Sequence, residues 1–358
     1  VGLFSFGSSG LIGLDLSATA VKIVELGKAR RGYELKAIGH VALPRDAIVE
    51  DSIVDSMAVS QALLDAIEAA QPSTRDVAIA LSGNSVIIKT VQMPAMTEFE
   101  LENQIEYEAD QHIPFDMEEV YLDFQILGAS EEEGQMDVVL VACKREVVED
   151  LRLVLAEAGL NLKLVDCAVF AIENAAEITG EHGVPENLSE LAPEDAEVHA
   201  LVNIGATKTN VNISVNGQTA FVRDQFFGGN NLTEEIQKAH GVGHDEAERM
   251  KIERFEEVSP DAIEAFYAGL VAELSRALDY YAANHPDQPV KKMLLMGGGA
   301  LIPGIADELS GRMGIDTIVL NPLDAIEIPE KKFDREHLAR VGPMYAVGVG
   351  LALRSFDS

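Results

Sequence analysis

Apolar positions along the chain recur with two periods. VVLVACK (138–144) and HALVNIG (199–205) are continuous apolar runs, and VKKMLLMGGG (290–299) is a third that ends in glycines. Such runs predict strands covered on both faces. LIGLDLSATAVKIVEL (11–26) reads as two strands around a polar tip. Elsewhere the period lengthens to that of a helix. DSMAVSQALLDAIEAA (55–70) places Met57, Leu63, Leu64 and Ile67 near one face. REVVEDLRLVLAEAG (145–159) aligns Val147, Val148, Leu151, Val154, Leu155 and Ala158, with Gly159 as the stop. The longest helical stretch, 261–286, is closed by Pro286. Strands alternating with such helices predict an α/β protein.

Two segments break the pattern. EEEG (131–134) reads as a solvated tip, and TGEHGVPENLSELAPEDAE (179–197) as a linker between lobes. Between them and the N-terminus, Thr97 with Glu100 forms a capping box that predicts one helix. Leu101, Ile105, Ala109 and His112 would form its narrow apolar stripe, and Pro114 would end it.

The opening hairpin recurs. Residues 12–22 run IGLDLSATAVK and residues 200–210 run ALVNIGATKTN. Asp15 falls on Asn203, Ser17 on Gly205, Ala18 on Ala206 and Thr19 on Thr207, an offset of 203 − 15 = 188. Small residues at such a tip let backbone N–H groups converge on an oxyanion. Ser17, Thr19, Thr207 and Thr209 can add hydroxyl donors. Asp15 can hold Mg²⁺ through water, because Mg²⁺ keeps most of its hydration shell. Alone, such a hairpin is more often a plain turn; two at half-chain spacing predict a polyphosphate clamp between lobes. A third cluster, Gly297-Gly298-Gly299, follows the 290–299 run and lets backbone approach a flat ligand. Ile302 stands where a dinucleotide fingerprint needs glycine, and no P-loop motif occurs.

Length and charge narrow this further. The chain's 358 residues are too many for one ordinary core. Its 60 acidic against 27 basic residues leave −33, which disfavours nucleic acid and anionic lipid. No apolar run is long enough to span a bilayer, the start lacks the pattern of a signal peptide, and LFSF is too short to anchor alone. Cys143 and Cys167 lie among apolar residues and read as buried free thiols of a cytoplasmic protein. The eight histidines form no zinc pattern, and His112 reads as structural. VGPMYAVGVGLALRSFDS at the end reads as a short buried helix.

The two hairpins and the glycine cluster together resemble the actin-like ATPase superfamily. VQMPAMTEFELENQIEYEADQHIPFDMEEVYLDFQIL (91–127), with its Met-Pro, Glu-Leu and Ile-Pro-Phe landmarks, resembles the PilM family of type IV pilus assembly more narrowly. The resemblance covers nearly the whole chain. It implies a two-lobed actin-like fold with ATP and Mg²⁺ in the cleft. Subdomain 1A would span 1–83 and 161–197, and the relocated subdomain 1C, shared with the division protein FtsA, 84–160. Subdomain 2A would span 198–230 and 290–358, with 2B at 231–289.

By the same resemblance Asp15, Ser17, Thr19 and Lys22 belong to the first phosphate hairpin. Asn203, Gly205, Thr207 and Thr209 belong to the second, and Gly297, Gly298 and Gly299 to the adenosine loop. Asp166 matches the acid that positions water or metal, and Glu248 and Lys251 match a pair that contacts the nucleoside. Spacing alone lets Asp245 and Glu248 form a capping box instead. Two departures stand out. Ser17-Ala18 replaces a glycine-containing turn, and Asn203 replaces a frequent Asp, so ATP binding with weak hydrolysis is expected. The implied partner is the cytoplasmic N-terminal peptide of the inner-membrane protein PilN, in a groove involving 1C. Through PilN it would reach the membrane complex, with pilus motor ATPases as further implied partners. The alternatives are a cycling or filament-forming ATPase, or another sugar kinase/Hsp70/actin relative.

Overall fold

The computed structural model describes residues 10–49, 51–130, 132, 134–183 and 196–357. The LFSF stretch, two residues of the 131–134 tip and most of the 179–197 segment lie outside the described residues. The chain opens with β1 (Ile12–Leu16), β2 (Ala20–Lys28) and β3 (Tyr33–Ala42), then the short pair β4 (Ile48–Val49) and β5 (Ser52–Ile53). Helix α1 (Ser56–Ala70) and β6 (Asp76–Leu81) follow. Asp55 caps α1 by accepting the Ala58 amide at 3.0 Å. The buried face of α1 is Val59, Ala62, Leu63, Ala66, Ile67 and Ala70. Met57 is 80% exposed and Leu64 44%, so the expected face is rotated. Alanines, which bulk-weighted patterning passes over, let α1 sit close on the sheet.

Next comes a unit with its own small core: β7 (Val86–Pro94), α2 (Glu98–Glu102), α3 (Ile105–Asp110), β8 (Val120–Ala129) and β9 (Gln135–Lys144). The Thr97–Glu100 capping box forms. The single helix expected after it is two, because Asn103 turns its amide onto the Phe99 carbonyl at 2.6 Å and the helix breaks there. The stripe survives the break: Leu101, Ile105 and Ala109 are buried against Val138, Leu140 and Ala142 of β9.

Helix α4 (Arg145–Glu157), β10 (Asn161–Cys167) and α5 (Ala168–Glu177) end the first half. The second half runs β11 (Val198–Ile204), β12 (Thr209–Val215), β13 (Gln218–Gln225), α6 (Gly229–His240), α7 (His244–Glu253) and α8 (Pro260–Asn284). It closes with β14 (Lys292–Met296), α9 (Ile305–Met313), β15 (Asp316–Val319), β16 (Ile326–Glu327), α10 (Arg335–Val341) and α11 (Ala346–Leu353).

The repeat seen in two hairpins extends through both sheets. The first has the order β10-β6-β1-β2-β3-β16 and the second β13-β12-β11-β14-β15. In each, three antiparallel strands lead into two parallel ones on the far side of the first strand. Helices α5 and α11 lie in a core shared by both sheets, with Val24 and Ala78 from one and Leu201 and Leu294 from the other. All eight residues of α11 are buried, as an all-round apolar helix requires. Each of its buried valines and leucines contributes about 1.5–3 kcal/mol. Cys167 is buried and Cys143 half-buried, both free, and burial pushes both thiols up.

Candidate functional site

The two hairpin tips are closed alike. Ser17 donates its amide to Ala20 O at 3.0 Å, and Gly205 donates to Lys208 O at 2.8 Å, the same positions 188 residues apart. Thr19 and Thr207 are exposed at the two tips. Ser17 Oγ is already donating to Ala20 O at 3.0 Å. Thr209 is turned inward, where its hydroxyl donates to Phe227 O at 2.8 Å.

One residue pair per hairpin faces across the strands near the tip. Asp15 faces Lys22, and their charges lie 2.6 Å apart with both side chains about 86% covered. Desolvation, with Lys22 next, pushes the neighbouring His40 down, so its imidazole is neutral at physiological pH. In the second hairpin Asn203 faces Asn210 and donates to its Oδ1 at 3.0 Å. Asn210 in turn donates to Asp224 Oδ1 on β13 at 2.5 Å.

The glycine cluster is wedged against that hairpin. Gly297 has φ +87° and ψ 174°, a region essentially reserved for glycine. A Cβ there would stand 2.5 Å from both Asn203 Oδ1 and Ile204 O. Gly298 faces open space, with nothing within 4 Å of its missing side chain. The start of α6 braces the same tip: Gly229 and Asn230 donate to Gly205 O and Ala206 O at 2.9 and 2.8 Å. Glu248 and Lys251 do share a face, 2.5 Å apart, and both hydrogen-bond Thr233 of α6. Lys251 also donates to Gly229 O at 3.2 Å. Glu248 is therefore not a cap; Gly243 holds the N-cap position of α7.

Lobe 2 thus gathers Asn203, Gly205, Thr207, Glu248, Lys251 and Gly297–Gly299 around one tip. Asp15, Ser17, Thr19 and Lys22 stand apart on lobe 1. Asp166 lies in the same sheet, opposite Ala80 of β6 and so at the same strand end as Asp15 but two strands away. It is buried, with its Oδ2 3.2 Å from Arg354 Nε but out of line for a hydrogen bond. Burial raises its carboxyl, and Arg354 partly opposes that. Two features escaped the sequence. One is the Gly-Gly-Asn-Asn opening of α6 (Gly228–Asn231), a small-residue helix start that motif scanning could have flagged. The other is Lys208, which reaches across to lobe 1, bonding Asp51 at 2.5 Å and Ser82 Oγ at 2.6 Å.

These residues fit a nucleotide. The open Gly298 surface, held by a strained neighbour, suits a flat base, and the half-buried Glu248–Lys251 pair suits its sugar. Among the described residues no three His, Cys, Asp or Glu gather as a direct metal cage. A hydrated Mg²⁺ needs only one carboxylate. A cavity of about 520 Å³ lies beyond the glycine cluster, lined by Leu301, Asp324 and Arg340; it contains none of the hairpin residues. A second, of about 330 Å³, is walled by all three units: Leu81–Gly83 and Val169 of lobe 1, Val86 and Ile88 of β7, and Val222, Asp224 and Phe226 of lobe 2. No described helix is long and apolar enough to cross a membrane.

The family model for type IV pilus assembly protein PilM matches residues 13–356. A solved PilM-PilN type IV pilus biogenesis complex contains a chain 28% identical, with a TM-score of 0.83, covering 98% of this chain and 100% of that one. Ethanolamine utilization protein EutJ from Carboxydothermus hydrogenoformans is 14% identical, with a TM-score of 0.56 over 97% of this chain and 90% of its own. MreB5 of Spiroplasma citri bound to ADP is 13% identical, with a TM-score of 0.50 over 97% and 98%. The last two show the fold, which is actin-like. With its two repeated lobes and its separate three-stranded unit matched from end to end, the chain belongs to the family of the type IV pilus assembly protein PilM.

Proposed function

We propose that this protein is a cytoplasmic, ATP-binding adaptor at the inner-membrane base of a type IV pilus machine. It takes the cytoplasmic N-terminal peptide of PilN in a groove involving residues 84–160, and nucleotide sets how tightly. The observation that carries this is the match, over 98% of the chain, to a protein solved as a PilM-PilN complex. The cavity walled by β7 and both lobes is where we place the peptide, since an extended segment can use strand edges and apolar pockets together. β7 is an edge strand of its three-stranded sheet, and β13 an edge strand of the second lobe's sheet.

ATP would lie between the lobes. Gly297–Gly299 would face the base, and Glu248 with Lys251 the sugar. The tips with Thr19 and Thr207 would offer donors to the phosphates. Asp15 would hold hydrated Mg²⁺, shared with or released from Lys22. When bound, the metal neutralises phosphate charge. With Asn203 in the second hairpin and Asp166 tied to Arg354, this chain has little to orient a water, so turnover is weak. Calorimetric titration of the PilN peptide onto the full chain, with and without Mg²⁺-ATP, tests the proposal. Binding that strengthens or weakens with nucleotide, and an Asp15→Ala variant that loses Mg²⁺-ATP affinity at least about tenfold, are expected. Absence of peptide binding in both states would remove the pilus-adaptor assignment.

A further inference from the structure

Asn203, in the second hairpin, is the start of a polar chain that leaves the cleft. Its Nδ2 donates to Asn210 Oδ1 at 3.0 Å. Asn210 Nδ2 donates to Asp224 Oδ1 at 2.5 Å, and Asp224 Oδ2 accepts the backbone N–H of Gly83 at 2.6 Å. Gly83 belongs to lobe 1 and lies just before β7, the strand that leads into the three-stranded unit. Ser82, Gly83 and Asp224 also line the 330 Å³ cavity. Beside this chain, Lys208 crosses from the same hairpin to Asp51 and Ser82. Gly83 has φ +64°, and a Cβ there would press on the Asp51 carboxylate, so the crossing point is closely packed.

The chain has a direction. Asp224 only accepts, so it holds the NH₂ of Asn210 toward itself, and Asn210 must then turn its oxygen to residue 203. Residue 203 must be a donor. An Asp there would leave one amide between two carboxylates, able to serve only one. Asn210 is 97% buried, so the conflict cannot be relieved by water at low cost. The asparagine at 203 is thus matched to Asp224, 21 residues on.

We propose that Asn203–Asn210–Asp224–Gly83, with Lys208 beside it, is the relay by which occupancy of the nucleotide cleft is transmitted to the root of the 84–160 unit and the wall of its groove. The regulatory role rests on the nucleotide assignment above; the relay itself does not. A ligand that pulls on the second hairpin shifts both lobe 1 contacts together, because the hairpin is the common origin of each. No remote conformational wire is needed: four hydrogen-bonded groups span the two lobes.

The test is hydrogen exchange at the Gly83 amide, read by NMR on the full chain, without nucleotide. Asn203→Asp is expected to speed that exchange by about tenfold, though residue 203 is two side chains removed. Adding Asp224→Asn reverses the polarity of the side-chain links, because an amide in place of the Asp224 carboxylate would donate to Asn210 and still accept from Gly83. The double variant is expected to restore protection. Unchanged exchange in Asn203→Asp, or no rescue in the double variant, would overturn the relay. If Asn203→Asp does not fold, the double variant decides by itself whether protection at Gly83 returns. Saturating Mg²⁺-ATP should also change Gly83 exchange in the parent, and less in Lys208→Met. If ATP binds by calorimetry yet leaves Gly83 unmoved, the regulatory role is overturned. If ATP does not bind, the nucleotide assignment falls, and the nucleotide-free comparison still decides the relay.

Discussion

In the first hairpin Asp15 faces Lys22, and the pair satisfies itself within lobe 1. At the equivalent place 188 residues on, Asn203 faces Asn210, and the pair is satisfied only by borrowing Asp224 and, through it, Gly83 of the other lobe. Backbone, register and tip closure are the same in both. The difference lies in two side chains. An ion pair is locally neutral and can exchange a partner, Lys⁺ for a hydrated cation, without disturbing its neighbours. A neutral amide pair carries no charge to trade but has a donor end and an acceptor end, so it can be chained. One repeat unit is thereby self-contained, and the other is a contact between lobes. Losing one member of either pair leaves the other covered and unmatched, which costs more than the pair was worth.

The largest test of the difference is at the residues that follow the neighbouring parallel strands. Gly297 comes directly after β14 and is wedged against the second hairpin, whereas Gly83, two residues after β6, packs on the side chains of Asp51 and Lys208. Gly297→Ala must occupy a backbone region nearly closed to alanine and must push Asn203 Oδ1 and Ile204 O from 2.5 Å. A loss of about 3 kcal/mol or more in urea unfolding is expected. Gly83→Ala has φ +64° and presses on the flexible ends of the Asp51 and Lys208 side chains, so about 1–2 kcal/mol is expected. Equal losses would mean that the backbone wedge of Gly297 against the second hairpin costs no more to disturb than the side-chain contacts at Gly83.

Strands, tips and the half-chain repeat were legible because they rest on local chemistry: apolar runs, small residues at the turns, and an offset visible by eye. The 97–100 cap was legible for the same reason. Where the reading failed, the deciding partner was distant or lacked bulk. The face of α1 is filled in by Ala62, Ala66 and Ala70, so Met57 and Leu64, apolar as they are, face outward. The Asp245–Glu248 spacing fits a cap as well as chance allows, but Thr233, 15 residues earlier, takes the Glu248 carboxylate. Asn203 looks like a lost acid when read against a family. Its meaning depends on Asp224 and on Gly83, 120 residues before it, and neither is within reach of a sequence window.

A titration separates the hairpins from the lobe contact beneath them. Glu173 of α5 accepts from Thr219 of β13 at 2.6 Å, and burial raises its carboxyl to about 7. The native chain therefore keeps a proton that the unfolded chain has released, between roughly pH 4.5 and 7. With more protons bound in the native state, stability falls as pH rises through that window, by a contribution on the order of 2 kcal/mol after screening. His182, held down to about 4 by burial, acts in the opposite sense, because the unfolded chain gains a proton first as pH falls. Glu173→Gln isolates the first effect: higher melting temperature than the parent at pH 8, and little difference at pH 4.5. If the variant runs parallel to the parent at all pH values, Glu173 is not the group that titrates.

The smallest effect bears on whether hydroxyls at the two hairpins are equivalent. Thr209 is fully buried, and its hydroxyl holds Phe227 O at 2.8 Å, just before the glycines that open α6. Thr19 is exposed at the first tip with no protein acceptor among its described hydrogen bonds. Thr209→Val keeps the shape and strands a buried carbonyl, a cost of about 1–2 kcal/mol. Thr19→Val removes only a solvated donor, and its stability should stay within about 0.5 kcal/mol of the parent. The ligand readout should run the other way. Thr19→Val weakens nucleotide binding if that tip meets phosphate, whereas Thr209→Val leaves the contact itself in place and acts through the looser tip. A stability loss at Thr19 as large as at Thr209 would show that the first tip is part of the fold rather than reserved for a ligand.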